Sequence, residues 1–264
     1  TEVILASIEK WGLPQALKKF NGMFAFALWD REKHALTLAR DRIGIKPLYY
    51  GWMGTTLLFG SELKALKAHP EFEDRVDRQS LSLLMRFNYI PAPRSIYQNI
   101  FKLQPGMFLS VKVGEKDSTP KTYWSFGETA RQASQDGFDG TREEAVDQLD
   151  SLLSSAVKLQ MASDVPLGAF LSGGIDSSTV VALMQKQSHQ PIKTFSIGFE
   201  EKGFDEAPYA REVAKHLGTD HTEHYVSSRE ALSIIPRLPI LYDEPFADSS
   251  QVPTYLLSHL TGQK

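Results

Sequence analysis

Apolar positions change their period along this chain, and each change marks an element. Val3, Ile4, Ile8 and Trp11 recur at helical spacing and predict a helix over residues 2–10. A second helix is predicted over 14–20, with Pro14 at a first-turn position. Residues 23–29 are continuously apolar and 34–40 read as a partner strand, joined by a turn over 30–33. Residues 48–53 and 56–59 form a predicted hairpin about Gly54 and Thr55, and 62–68 and 80–87 read as short helices. After the turn at Gln104, Pro105 and Gly106, the alternation of Leu109, Val111 and Val113 predicts a half-buried strand.

The pattern breaks over 114–140, a polar stretch with Gly, Pro, Ser and Asp that reads as a linker. Aromatic residues at 123, 124 and 126 interrupt it and are expected to dock on a domain surface. Thr141 and Glu144 then form a capping box, and Val146, Leu149, Leu153, Ala156 and Leu159 mark one face of a long helix. Strands at 167–171, 194–199 and 221–226 alternate with helices at 178–187 and 207–217, the latter closed by Gly218. Ser227 and Glu230 open a further helix that Pro236 and Pro239 should kink, and 254–260 reads as a last one. Strands alternating with helices argue for a parallel, doubly wound sheet. The expected organisation is an α+β part over 1–113, a linker over 114–140 and an α/β part over 141–264.

Composition narrows the class. A chain of 264 residues with 42% hydrophobic content can bury a full core. Its net charge of −3 carries no nucleic-acid-like bias, and no apolar run approaches the ~20 residues that span a bilayer. There is no Cys, so disulfides and thiolate metal sites are excluded. These features suit a soluble cytoplasmic protein, with neither nucleic acid nor membrane as partner. The seven His residues show no metal-ligand spacing; His221 and His224 face opposite sides of a strand.

The chemistry concentrates at residues 170–178, Phe-Leu-Ser-Gly-Gly-Ile-Asp-Ser-Ser. A short strand, a glycine turn and a helix start point several backbone N–H groups at one spot, where the helix dipole favours an anion. Gly173 and Gly174 let the backbone approach an oxyanion, and Ser172 and Ser177 add hydroxyls. Asp176 suits a Mg²⁺ ion bridging to phosphate oxygens. No Lys follows the glycines, so this is not a Walker loop. The order Ser-Gly-Gly-x-Asp-Ser instead resembles the ATP-pyrophosphatase loop, which several enzyme families share.

The first part decides among those families. Residues 21–27, 39–50 and 59–66 closely resemble the class II glutamine amidotransferase domain, and the combination with the downstream loop is similar to bacterial-type, glutamine-hydrolysing asparagine synthetase. Leu103 to Gly106, with Tyr123 and Trp124, fit the inter-domain stretch of that family. The resemblance implies the C-terminal part of an Ntn-type αββα glutaminase domain, followed by the first half of a doubly wound ATP-pyrophosphatase domain. It implies ATP and Mg²⁺ as cofactors, aspartate and glutamine as substrates, and a β-aspartyl-AMP intermediate that ammonia displaces; it also allows a homodimer. By family match Leu171 borders the adenine or ribose and Ile197 contacts the adenine, beside Ser172, Gly173, Gly174, Asp176 and Ser177 on the pyrophosphate, with Asp176 on the metal.

The same resemblance implies gaps. The family's Cys nucleophile cannot be present in a chain without Cys, so no catalytic residue is assigned. Its glutamine-binding Asp would precede Thr1, and its second phosphate loop would follow Lys264, so the chain is expected to be an internal fragment, inactive alone. Two alternatives stay open: a relative that forms an amide or β-lactam on another acid, and a non-catalytic nucleotide-binding module. Also open are Arg40, Asp41, Arg42 and Lys46, as an exposed charged face or a buried ion-pair network. Asp243, Glu244 and Asp248 could take loop and helix-cap roles, or help to bind metal and orient substrate.

Overall fold

The computed structural model describes residues 1–116, 118–199 and 205–262. They form two compact units, Thr1–Gly137 with Tyr242–Ala247, and Phe138–Leu241 with Asp248–Lys264.

The first unit is antiparallel. Helices α1 (Glu2–Trp11) and α2 (Leu13–Lys19) precede β1 (Ala25–Asp30) and β2 (Ala35–Arg40), which pair with Ala27 opposite Leu38. Their turn is set by Asp30, whose carboxylate accepts the backbone amides of Glu32 (3.1 Å) and Lys33 (2.9 Å). The hairpin of β3 (Tyr49–Met53) and β4 (Thr56–Gly60) leads into α3 (Leu63–Lys67) and α4 (Arg78–Phe87). Then come β5 (Ile100–Lys102), β6 (Met107–Lys112), β7 (Lys121–Thr122) and α5 (Phe126–Asp136). Two sheets result, in the orders β1-β2-β6-β7 and β4-β3-β5. One core cluster gathers Leu38, Leu48, Leu103, Leu109 and Val111, and another Leu58, Leu63, Leu66, Ile90 and Ile100. Each such fully buried aliphatic side chain contributes about 2–3 kcal/mol of transfer free energy.

Three features of this unit differ from the sequence expectation. The polar stretch over 114–140 is not a bare linker: it holds β7 and all of α5, whose start is capped by Ser125 accepting from Glu128 N. Of its aromatics Tyr123 and Trp124 dock, Tyr123 buried beside Leu17, Ala39 and Phe108, but Phe126 stays 73% exposed. The three-residue β5 went unseen, because so short a strand carries no period.

The second unit is parallel. Helix α6 (Arg142–Gln160) opens on the expected capping box of Thr141 and Glu144. None of its residues is buried, and Val146, Leu149 and Leu159 are more than half exposed, so the predicted apolar face is largely uncovered among the described residues. Next come β8 (Gly168–Phe170), α7 (Ile175–Lys186), β9 (Lys193–Phe199), α8 (Ala207–Leu217) and β10 (Asp220–Val226). The strands form one parallel sheet in the order β10-β9-β8. Gly218 ends α8 in the left-handed conformation, φ 71°. As Pro236 predicted, the helix after Ser227 breaks into α9 (Ser228–Ile234), a 3₁₀ turn (Ile235–Arg237) and α10 (Leu238–Leu241). The last helix, α11 (Gln251–Thr261), starts before the predicted 254. Among the described residues no helix is long and apolar enough to cross a membrane.

Candidate functional site

The loop between β8 and α7 sits at the carboxyl end of the parallel strands, where open α/β sheets bind ligands. Leu171 is buried and extends the pairing of β8 by donating its amide to Phe195 O (2.9 Å). The chain then turns through Gly173 at φ 79°, a conformation that favours glycine. A Cβ on Gly173 would also lie 2.6 Å from Tyr209 Cβ and 2.8 Å from Ala210 N, in the first turn of α8. Both the dihedral and the space demand glycine there. Gly174 differs: it caps α7 at φ −71°, and only the Ser172 hydroxyl comes near an added Cβ. The helix therefore starts at Ile175, three residues before the predicted 178, which puts Asp176 in its first turn.

The loop's polar groups satisfy one another. Ser172 and Ser177 hydroxyls are 3.0 Å apart, Ser172 N donates to Ser177 Oγ (3.2 Å), and Gly174 N donates to Ser172 Oγ (3.3 Å). These groups are partly exposed, so an incoming anion can replace such contacts with charge-assisted ones at little desolvation cost.

A cavity of about 800 Å³ opens beside the loop, within the second unit, and brings together Leu171, Ser172, Ser177 and Ile197. Gly173, Gly174 and Asp176 do not line it; the glycines shape the loop, and Asp176 is exposed on α7. The far wall is apolar, built from Phe199, Ala231, Leu232, Ile235 and Val252. Ser196, Glu206, Ser228, Ser249 and Ser250 line it as well. Ser196, Glu206 and Ser228 belong to no sequence motif and are gathered by the fold alone.

Behind the sheet strand that carries Ser196, a hydroxyl chain surrounds His221. Thr194 Oγ1 is 2.9 Å from both Thr219 Oγ1 and His221 Nδ1, and His221 Nε2 is 3.2 Å from Ser196 Oγ. Burial pushes the His221 pKa down, against the pull of Glu223. Glu223 is itself held below the usual carboxylate range, mainly by its hydrogen bonds from Arg211. His224 points elsewhere, toward Glu230 (3.2 Å), so the two histidines share no site.

The other candidates separate from this cavity. Arg40 donates to three carbonyls, Lys46 O (2.8 Å), Leu103 O (2.7 Å) and Gly44 O (2.7 Å), and Arg42 to Lys18 O (2.7 Å). Asp41 is buried and accepts from Phe24, Ile45 and Lys46 amides. Arg40, Asp41 and Arg42 thus organise backbone rather than pair with one another, while Lys46 lends them its peptide groups and keeps an exposed side chain. Asp243 and Glu244 fall in the first unit, where Asp243 accepts from Leu63 N (2.7 Å) and Glu244 from Ile96 N (2.7 Å). Asp248 caps its own loop by accepting from Ser250 N (2.8 Å). No group of three or more His, Cys, Asp or Glu side chains among the described residues could hold a metal.

Comparisons with known proteins bear on both units. Residues 1–124 match the family model of the glutamine amidotransferase domain, and residues 148–264 that of asparagine synthase. The chain is 38% identical over 263 residues to a putative glutamine-hydrolysing asparagine synthetase 2 of Methanocaldococcus jannaschii, covering 98% of this chain and 49% of that one. It is 35% identical over 258 residues to glutamine-hydrolysing asparagine synthetase 1 of Bacillus subtilis, covering 98% of this chain and 39% of that one. The chain therefore spans about half the length, or less, of the curated relatives it matches. Both domain matches thus occur in one chain, which is similar over nearly all of its length to glutamine-hydrolysing asparagine synthetases.

Proposed function

We propose that the whole protein makes asparagine from aspartate, ATP and glutamine-derived ammonia through a β-aspartyl-AMP intermediate, and that the loop at 172–177 is its pyrophosphate cradle. One observation carries the reading: the Ser-Gly-Gly-x-Asp-Ser loop borders a cavity of ligand size at the carboxyl end of a parallel sheet. In this reading the chain is the C-terminal part of an αββα glutaminase domain followed by the first half of a doubly wound synthetase domain. Its partners are small molecules, and it works in the cytoplasm.

The chain's own residues have definable tasks. Ser172 and Ser177 donate hydroxyl and amide hydrogens to phosphate oxygens, in exchange for the contacts they now make with each other. Gly173 keeps the turn open on the ligand side and tight against Tyr209 on the other. Leu171 and Ile197 present apolar surface to the base. Asp176, exposed on the first turn of α7, fits a Mg²⁺ ion that takes one protein carboxylate and completes its shell with water and phosphate. When bound, that ion would neutralise charge on the departing pyrophosphate. A carboxylate is a poor electrophile until one of its oxygens belongs to a good leaving group, which is why the pathway begins with adenylation. No Cys occurs in this chain, so it supplies no thiol for glutamine hydrolysis.

Titration calorimetry with Mg²⁺ and ATP tests the reading. The chain should bind ATP, and Gly173→Ala and Asp176→Ala should weaken binding at least tenfold. Binding that both substitutions leave unchanged would remove the loop from the site.

A further inference from the structure

The first unit is completed by six residues that lie far downstream of the rest of it, Tyr242–Ala247. Leu63 N donates to Asp243 Oδ2 (2.7 Å) from a position 180 residues away in sequence, and Lys64 Nζ lies 3.9 Å from Asp243 Oδ1. Ile96 N donates to Glu244 Oε1 (2.7 Å), and Glu244 Oε2 pairs with Lys102. The Lys102 ammonium also donates to Ile90 O (2.6 Å), and Ala247 N donates to Asn88 O (2.7 Å). The side chains of Asp243 and Glu244 are only 13% and 10% exposed. Two carboxylates so buried are costly unless paired and hydrogen-bonded, and here each finds an amide donor and a cation. They also reach a third group: burial first, then the charge of Glu244 and Asp243, pushes the buried Tyr49 hydroxyl well above its ordinary pKa.

We propose that Tyr242–Ala247 is a strap that completes the amidotransferase-like unit, with Asp243 and Glu244 as its two anchors. The unit then reaches full stability only after the downstream chain has been made and has delivered these anchors. Without them, Leu63 N and Ile96 N lose their acceptors and the largely buried Lys102 loses its counter-charge, leaving a defect inside a core that holds Leu63, Ile90, Ile96 and Ile100. This inference goes beyond the nucleotide reading and needs no nucleotide, so the two can fail separately.

Amide hydrogen exchange on the full chain tests it. In the native chain, Leu63 and Ile96 amides should be protected as strongly as amides of β3; exchange as fast as that of exposed turns would overturn the strap. Asp243→Ala with Glu244→Ala should speed exchange at Leu63 and Ile96 at least tenfold while leaving α7 and β9 unchanged. Unchanged protection at Leu63 and Ile96 in a folded double variant would overturn it too. Should that variant fail to fold, Glu244→Gln alone and Glu244→Gln with Lys102→Met decide the matter. Removing both charges should restore part of the protection lost with one, and no restoration counts against the pair.

Discussion

A Cβ on Gly173 would stand 2.6 Å from the Cβ of Tyr209. That distance ties the glycine turn after β8 to the start of α8, and the turn's φ of 79° adds a second demand for glycine. Gly173→Ala should therefore cost about 2–3 kcal/mol or displace α8, combining dihedral strain with overpacking. Gly174→Ala, at φ −71° with only the Ser172 hydroxyl nearby, should cost under about 1 kcal/mol. Urea denaturation of both variants checks the contrast, and equal losses would count against it.

Asp41 should be a main source of acid sensitivity in the first unit. Its burial alone would raise the pKa, but backbone amides of Lys46, Ile45, Gly44 and Phe24 outweigh that and hold it below 3.8. The native carboxyl binds its proton less tightly than the unfolded one. Its stabilisation is thus full above pH ~4 and is lost as pH falls from there through the native value. Asp41→Asn must aim an amide N–H₂ at backbone N–H groups, and should cost about 3 kcal/mol at pH 7. The variant's stability should also vary less below pH 4, which denaturation at stepped pH would show.

His221 should act in a separate, higher window. Burial lowers its pKa from 6.5, Glu223 opposes that, and Arg211 adds to it. The neutral ring is the native form, so its contribution is full above pH ~6.5 and falls as pH drops from there through the lower native value. Replacing His221 with Gln should flatten the stability profile between pH 7 and 5. Fluorescence-monitored unfolding at each pH measures this, and an unchanged slope would exclude His221 as its source.

Thr141→Ala should loosen α6 at its start. Both arms of the capping box are present, Glu144 N to Thr141 Oγ1 (3.2 Å) and Thr141 N to Glu144 Oε2 (2.8 Å). A lost cap costs about 1 kcal/mol. Because α6 buries no residue, the loss should appear as faster exchange at its first turn, with little change in global melting.

Local features were largely legible. The capping box at Thr141, the side-chain N-cap at Ser227, the break at Pro236 and the turn at Asp30 are decided by neighbours within four residues. Side-chain burial was less so. The periodic face of α6 predicted a covered helix, but a period shows only that a face is apolar, not what covers it. Of the candidate site residues, Leu171, Ser172, Ser177 and Ile197 meet at the cavity, while Gly173, Gly174 and Asp176 sit outside its lining.

By itself, the sequence determined the glycine-turned loop, the alternation that makes the second sheet parallel, and the antiparallel hairpins of the first unit. Those follow from short-range chemistry: dihedral freedom, helix caps and the period of apolar residues. Only the tertiary structure decided that Ser196, Glu206 and Ser228 meet the loop across one cavity, and that Asp41 organises backbone rather than pairing with Arg40. It also decided that Asp243 and Glu244 anchor to Leu63 and Ile96, far from Ser249 and Ser250 in role though near in sequence. A carboxylate's partner is whichever donor the fold brings within about 3 Å, and spacing along the chain does not encode that distance.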